Sequence, residues 1–174
     1  AHFLPNSDPV HKVSIISRGR AGGYTLKVPT EDRHLHTKTE FIEEIAVLMA
    51  GYLTEQTIFK EITTGATSDL RRATGLARRL VTDFGMSNTL GPRTFGEKEE
   101  GAYLGREIGE RRDYSEKMAE NIDHEIAAFI KQGRDLAEEM ITQHRAELDR
   151  VAGVLIKKET IEQAEFNELM EQKG

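Results

Sequence analysis

Apolar side chains return every three or four residues through three long stretches of this chain, a spacing that confines most of it to helices with one side each to bury. Phe41, Ile42, Ile45, Leu48, Met49, Tyr52 and Leu53 form the first run, which predicts a helix from about Thr39 to Phe59. Leu70, Ala73, Ala77, Leu80, Val81 and Phe84 form the second, ending at Gly85, where a glycine C-cap fits. The third passes through Met118, Ile122, Ile126, Phe129, Ile130, Ala137, Met140 and Ile141 and continues in Leu148, Val151, Val154 and Leu155, as in a helical hairpin or bundle. Thr142 is placed to cap a break in that run, and Thr160 to cap a last short helix carrying Ile161, Ala164, Phe166, Leu169 and Met170.

The start of the chain reads differently. Val10 to Ile16 is rich in β-branched residues, and Tyr24-Thr25-Leu26-Lys27-Val28 alternates apolar with polar before Pro29. Gly19-Arg20-Ala21-Gly22-Gly23 between them permits a tight reversal, so a β-hairpin or a pair of neighbouring strands at a sheet edge is expected. The fold class is therefore mainly α with a small β-hairpin or edge sheet, that is, α+β. Asn88 to Gly109 holds five of the 15 glycines and Pro92. A Gly-rich, mobile connection over 88–112 then separates a part with the sheet and two helices, 1–87, from a C-terminal helical bundle, 113–174.

Charge and composition narrow the chemistry. Lys+Arg 24 against Asp+Glu 30 leaves a net charge of −6, so no field draws the chain to phosphate backbones and nucleic acid is not an expected partner. No apolar run approaches the roughly 20 residues of a bilayer span, so the segment is expected to be soluble and to make no membrane contact. The absence of cysteine removes disulfides, thiolate zinc sites and cysteine nucleophiles. Ala1-His2-Phe3-Leu4-Pro5-Asn6 is not a signal peptide and is expected to be a cut end.

No complete catalytic motif is present. His124-Glu125 opens an H-E-x-x-H pattern, but Ala128 stands where the second histidine belongs, which leaves a solvated helix surface. His34 and His36 would need a third ligand from elsewhere to bind a metal. There is no G-x-S-x-G elbow and no phosphate-binding loop. Arg71, Arg72, Arg78 and Arg79 fall off the second apolar stripe, as a solvated or ion-pairing surface or, alternatively, as a phosphate site. Asp69 follows Thr63-Thr64-Gly65-Ala66-Thr67-Ser68 at a helix start. There it either answers the helix dipole or serves as a metal ligand.

A series of ordered matches tips that balance. Leu4-Pro5-Asn6-Ser7-Asp8-Pro9-Val10-His11-Lys12-Val13-Ser14-Ile15, Gly23-Tyr24-Thr25-Leu26, Thr63-Thr64-Gly65-Ala66-Thr67-Ser68-Asp69-Leu70-Arg71-Arg72-Ala73-Thr74, Val81-Thr82-Asp83-Phe84-Gly85-Met86-Ser87, Leu90-Gly91-Pro92, Leu104-Gly105-Arg106 and Asp113-Tyr114-Ser115 resemble successive blocks of one family. It is the proteolytic domain of the FtsH family of membrane-anchored, ATP-dependent zinc metalloproteases. The resemblance implies a helical metalloprotease domain fragment. It makes Asp69 the downstream aspartate that holds zinc with two histidines of an H-E-x-x-H helix, whose glutamate is the general base. Glu55 matches a family glutamate near the metal that orients a ligand from behind; otherwise it is a helix-surface acid. Gly23, Tyr24, Thr25 and Leu26 match the strand that binds substrate, with an ordinary hairpin strand as the alternative. Ala50-Gly51-Tyr52 stands where the family more often has Gly-Gly-Arg.

The H-E-x-x-H residues are absent, and by resemblance the chain begins where the zinc helix ends. This segment alone is therefore expected to be inactive, with no catalytic residue of its own. The resemblance further implies, for the parent protein, bound zinc, an ATPase module using ATP and Mg, and a homo-hexamer acting on unfolded and membrane polypeptides. It also implies an anchor in a bacterial inner membrane, or a derived organelle membrane, with this domain on the soluble cytoplasmic side. The alternative is a non-catalytic helical oligomerisation module of a degenerate family member.

Overall fold

In a computed structural model of the chain, which describes residues 1–17, 22–29, 35–96 and 113–172, helix α1 (Lys38–Thr54) starts at Thr37. The Thr37 hydroxyl accepts the Glu40 N–H, and the Glu40 carboxylate accepts the Thr37 N–H, a reciprocal cap that fixes the first turn. The apolar run expected to reach Phe59 as one helix changes character after Thr54. Glu55–Phe59 is a π-helical turn that ends at Lys60 in the left-handed conformation. A 3₁₀ turn (Thr64–Ala66) then leads into α2 (Thr67–Thr82). Its overrun is closed by Gly85 at φ +58°, with Phe84 N–H on Arg79 O and Met86 N–H on Leu80 O, as the glycine predicted.

Helix α3 (Glu116–Gln143), capped by the Ser115 hydroxyl, packs along α1 and α2. Ile45, Leu53, Leu80, Val81 and Ile122 are fully or almost fully buried between the three helices. Phe95 joins this core, its N–H bonded to Thr82 O. The α1–α3 contact is close because Gly133 presents no side chain where Ile45 and Ala46 approach. The break after α3 falls at His144 rather than at Thr142, whose hydroxyl donates to Glu138 O inside the helix.

Helix α4 (Arg145–Lys158) ends at Glu159 in the left-handed conformation, and Thr160 begins a strand instead of capping a helix. Strand β3 (Thr160–Glu162) pairs antiparallel with β1 (Val10–Ser14), which pairs antiparallel on its other side with β2 (Tyr24–Lys27). The order β2-β1-β3 leaves β2 at one edge and β3 at the other; β1, expected to share the edge with β2, is instead the middle strand because β3 pairs with its second side. Helix α5 (Gln163–Glu171) packs against β1, and Val10, Val151, Leu155, Ile161, Phe166 and Leu169 form a second, smaller core. The fold is thus mainly helical with a small sheet. The Gly19–Ala21 part of the reversal, His34, Leu104-Gly105-Arg106 and residues 97–112 of the expected connection lie outside the described residues. Among the described residues no helix is long and apolar enough to cross a membrane.

Candidate active site

The outer side of β2, away from β1, can be oriented from its bonds. Val28 N–H donates to Pro9 O, on the β1 side. Backbone groups alternate sides along an antiparallel strand, so Tyr24 and Leu26 also turn their amides to β1, and Thr25 and Lys27 turn theirs outward. Side chains alternate too, between the two faces of the sheet. Thr25 lies opposite Val13, which packs on the smaller core, whereas Leu26 lies opposite Lys12 on the other face, next to the Lys12–Glu162 ion pair.

A cleft of about 1150 Å³ opens between this sheet, α1, the start of α2 and the helices α3 and α4. Gly23, Tyr24 and Thr25 line it; Leu26 does not and is 46% exposed on the opposite face. Asp69, in the first turn of α2, lines the same cleft with Ser68 and Gly65. Its half-buried carboxylate has no hydrogen-bond or ion-pair partner among the described residues. The fold therefore brings the carboxylate and the strand edge to one concavity, although Thr25 and Asp69 are 44 positions apart in the chain.

Glu55 does not reach the cleft. Its carboxylate accepts the Thr63 N–H at 2.8 Å and the Thr63 hydroxyl at 3.0 and 3.1 Å. The Thr63 hydroxyl oxygen in turn accepts the Gly65 N–H at 3.1 Å, and the Thr67 hydroxyl donates to Thr64 O at 2.8 Å. This chain of bonds ties the π turn to the segment that starts α2. A Cβ on Gly65 would stand 3.2 Å from the Thr63 hydroxyl and 3.3 Å from the Glu55 carboxylate, so both side chains would have to shift by a few tenths of an ångström to admit one. The threonines were legible as helix-starting residues; that Glu55 holds them was not.

Of the described histidines, His2 and His144 line this cleft, and His11, His36 and His124 do not. His124 is exposed on α3, and exposed His36 stands 3.7 Å from the Glu40 carboxylate. His2 meets Phe3 and Phe166 edge-on at the cleft's far end. Burial draws its pKa below the ordinary histidine value, with repulsion from the N-terminal ammonium and His144 adding to it. Phe3 stacks on His144 with centroids 3.4 Å apart. Among the described residues no group of three or more His, Cys, Asp or Glu side chains is arranged to hold a metal ion. Asp69 nevertheless suits one corner of a metal site, because it presents hard oxygen donors at the wall of a cleft with no cation paired to them among the described residues.

A family model described as peptidase family M41 matches residues 1–169. The chain is similar to the ATP-dependent zinc metalloprotease FtsH 1 of Thermomicrobium roseum, at 48% identity over 172 residues, covering 99% of this chain and 26% of that protein. It is likewise similar to FtsH 1 of Sphaerobacter thermophilus, at 49% identity with the same coverage. FtsH of Pseudothermotoga lettingae is 46% identical over 169 residues, 97% of this chain and 27% of that protein. The chain spans about a quarter of the length of the curated relatives it matches. With matches that run from its first residues almost to its last, this chain belongs to peptidase family M41, the FtsH-type zinc metalloproteases.

Proposed function

We propose that these residues are the peptidase part of a longer, membrane-anchored, ATP-driven zinc metalloprotease that works as a homo-hexamer and cuts unfolded and membrane polypeptides. The observation that carries the reading is the shared cleft: the Asp69 carboxylate, without a partner among the described residues, and the outer edge of β2 at Thr25 face the same space. Asp69 is the zinc ligand of this segment, and Glu55, through Thr63, keeps it aimed. The outward amides and carbonyls of Thr25 and its neighbours align an extended chain by β-augmentation, which asks little of its sequence and suits a substrate that arrives unfolded. Bound zinc supplies a Lewis acid and lowers the pKa of its water.

The histidine pair and the glutamate of H-E-x-x-H are not among these 174 residues. We propose that in the full-length protein the helix bearing them is seated in the cleft, against Val47, Leu48, Met140 and Ile141, which line it as an apolar wall. Zinc binding and casein hydrolysis test this on two proteins. This chain alone is expected to show neither, and the full-length protein to show both; zinc-dependent hydrolysis by the chain alone overturns the assignment. A full-length protein lacking both activities would favour the non-catalytic oligomerisation module instead.

The strand's role has its own test. Proline at position 25 removes an amide that faces outward, so the β1–β2 pairing survives. Thr25→Pro in the full-length protein is expected to cut peptide turnover by about tenfold or more while zinc content holds, the loss of backbone alignment being worth at least one charge-free hydrogen bond. Unchanged turnover would count against β-augmentation at this edge.

A further inference from the structure

Arg72 follows Asp69 by three residues on α2, so the two side chains share a face, and an acid three residues ahead of a base is a favourable helical pair. That pair is not made: Asp69 has no partner among the described residues. The Arg72 guanidinium reaches across to α1 instead, with Nη2 3.9 Å from Glu44 Oε1. Glu44, Asp69 and Arg72 all line the cleft, so the choice between the two carboxylates is made within one space. Arg71 does not compete, since it lines a separate hollow with Thr67, Leu70 and Thr74. The other titratable groups of the cleft are Tyr24 and Lys27 on β2, the Ala1 amino group and His2 on the leading segment, His144 at the α3–α4 break and Glu147 on α4.

We propose that Glu44 is a positioning residue: it draws the Arg72 guanidinium away from Asp69 and so leaves the Asp69 oxygens available to a divalent cation. The inference rests on the reading of Asp69 as a metal ligand. A guanidinium bound to a carboxylate occupies the oxygens a metal would use, and its charge repels a cation at the same place. Glu44 prevents both by offering an equal charge one helix away. Both members of the pair are well exposed, so each alone contributes modestly and the effect weakens with salt.

The test is the Zn²⁺ affinity of the full-length protein, measured by competition with a chromophoric chelator, for Glu44→Gln, Arg72→Gln, the double variant and Asp69→Asn. Glu44→Gln is expected to weaken zinc by about threefold, the size of an exposed charge pair. Arg72→Gln should not weaken it, and the double variant should match Arg72→Gln, since without the arginine there is nothing to draw away. The Glu44→Gln deficit should shrink as salt is raised. A purely structural role would shift the unfolding midpoint and leave zinc affinity in place. If Asp69→Asn loses zinc but Glu44→Gln does not, or if the double variant is as weak as Glu44→Gln, the positioning role is overturned. If Asp69→Asn binds zinc as well as the wild type, the ligand assignment itself falls.

Discussion

Gly133→Ala is expected to destabilise this chain by about 1–3 kcal/mol, the usual cost of overpacking a filled core. Helix propensity alone argues the other way, because alanine outranks glycine in a helix interior by about 1 kcal/mol. Geometry decides the sign. A Cβ on Gly133 would stand 2.4 Å from Ile45 Cγ2 and 2.9 Å from Ile45 Cβ, with Ala46 N at 3.2 Å. Ile45 is fully buried and has nowhere to turn, and α1 and α3 make the most extensive helix–helix contact of the fold, so relief requires the helices to separate. Gly153 in α4 is the control, being exposed with nothing within 4 Å of a built Cβ. Gly153→Ala is expected to stabilise. Urea unfolding of the two variants should therefore move in opposite directions; a shift of the same sign in both would mean that the Ile45 contact does not govern the α1–α3 approach.

Glu43→Ala is expected to cost about 2–3 kcal/mol, the range for charge-assisted hydrogen bonds lost at a buried site. Glu43 is 5% exposed on α1, and its carboxylate accepts the Asn6 N–H at 2.9 Å and the Asn6 side-chain amide at 2.8 Å. These two bonds fasten the leading segment to α1 next to buried Leu4. Glu43→Gln retains one acceptor oxygen and should fall between wild type and alanine. Hydrogen exchange at the Asn6 amide, read alongside the unfolding curve, should accelerate in step with the stability loss. A protected Asn6 amide in Glu43→Ala would show that the segment is held by other contacts. Glu44, one residue on and exposed, should by contrast hardly affect stability.

The parts of this fold that periodicity could reach were legible. The apolar runs at Phe41–Leu53, Leu70–Val81 and Met118–Ile141 each bury one side, and Gly85 closes its helix with the positive φ that glycine tolerates. Strand β3 could not be read in the same way, because three residues are too few to show alternation and Thr160 carries the hydroxyl of a typical helix cap. What makes it a strand is β1, about 150 residues earlier, and a pairing of that range leaves no local trace. The π turn was hidden for a related reason: its residues keep a helical composition, and the change of hydrogen-bond step after Thr54 carries no composition of its own. Asp69 could be singled out only because its surroundings resemble a family. Its convergence with β2, and the capture of Arg72 by Glu44, depend on how α1 and α2 pack and are visible only in three dimensions.

The pairing of β1 with β3 also sets a schedule for biosynthesis. A ribosome delivers Val10–Ser14 early, but this strand waits for Thr160–Glu162 before its second side is filled. Contacts of such long range are the slow ones to form, and they follow the local helices. The sheet that supports the β2 edge is consequently completed only once Thr160–Glu162 has been synthesised, after the local helices have had time to form.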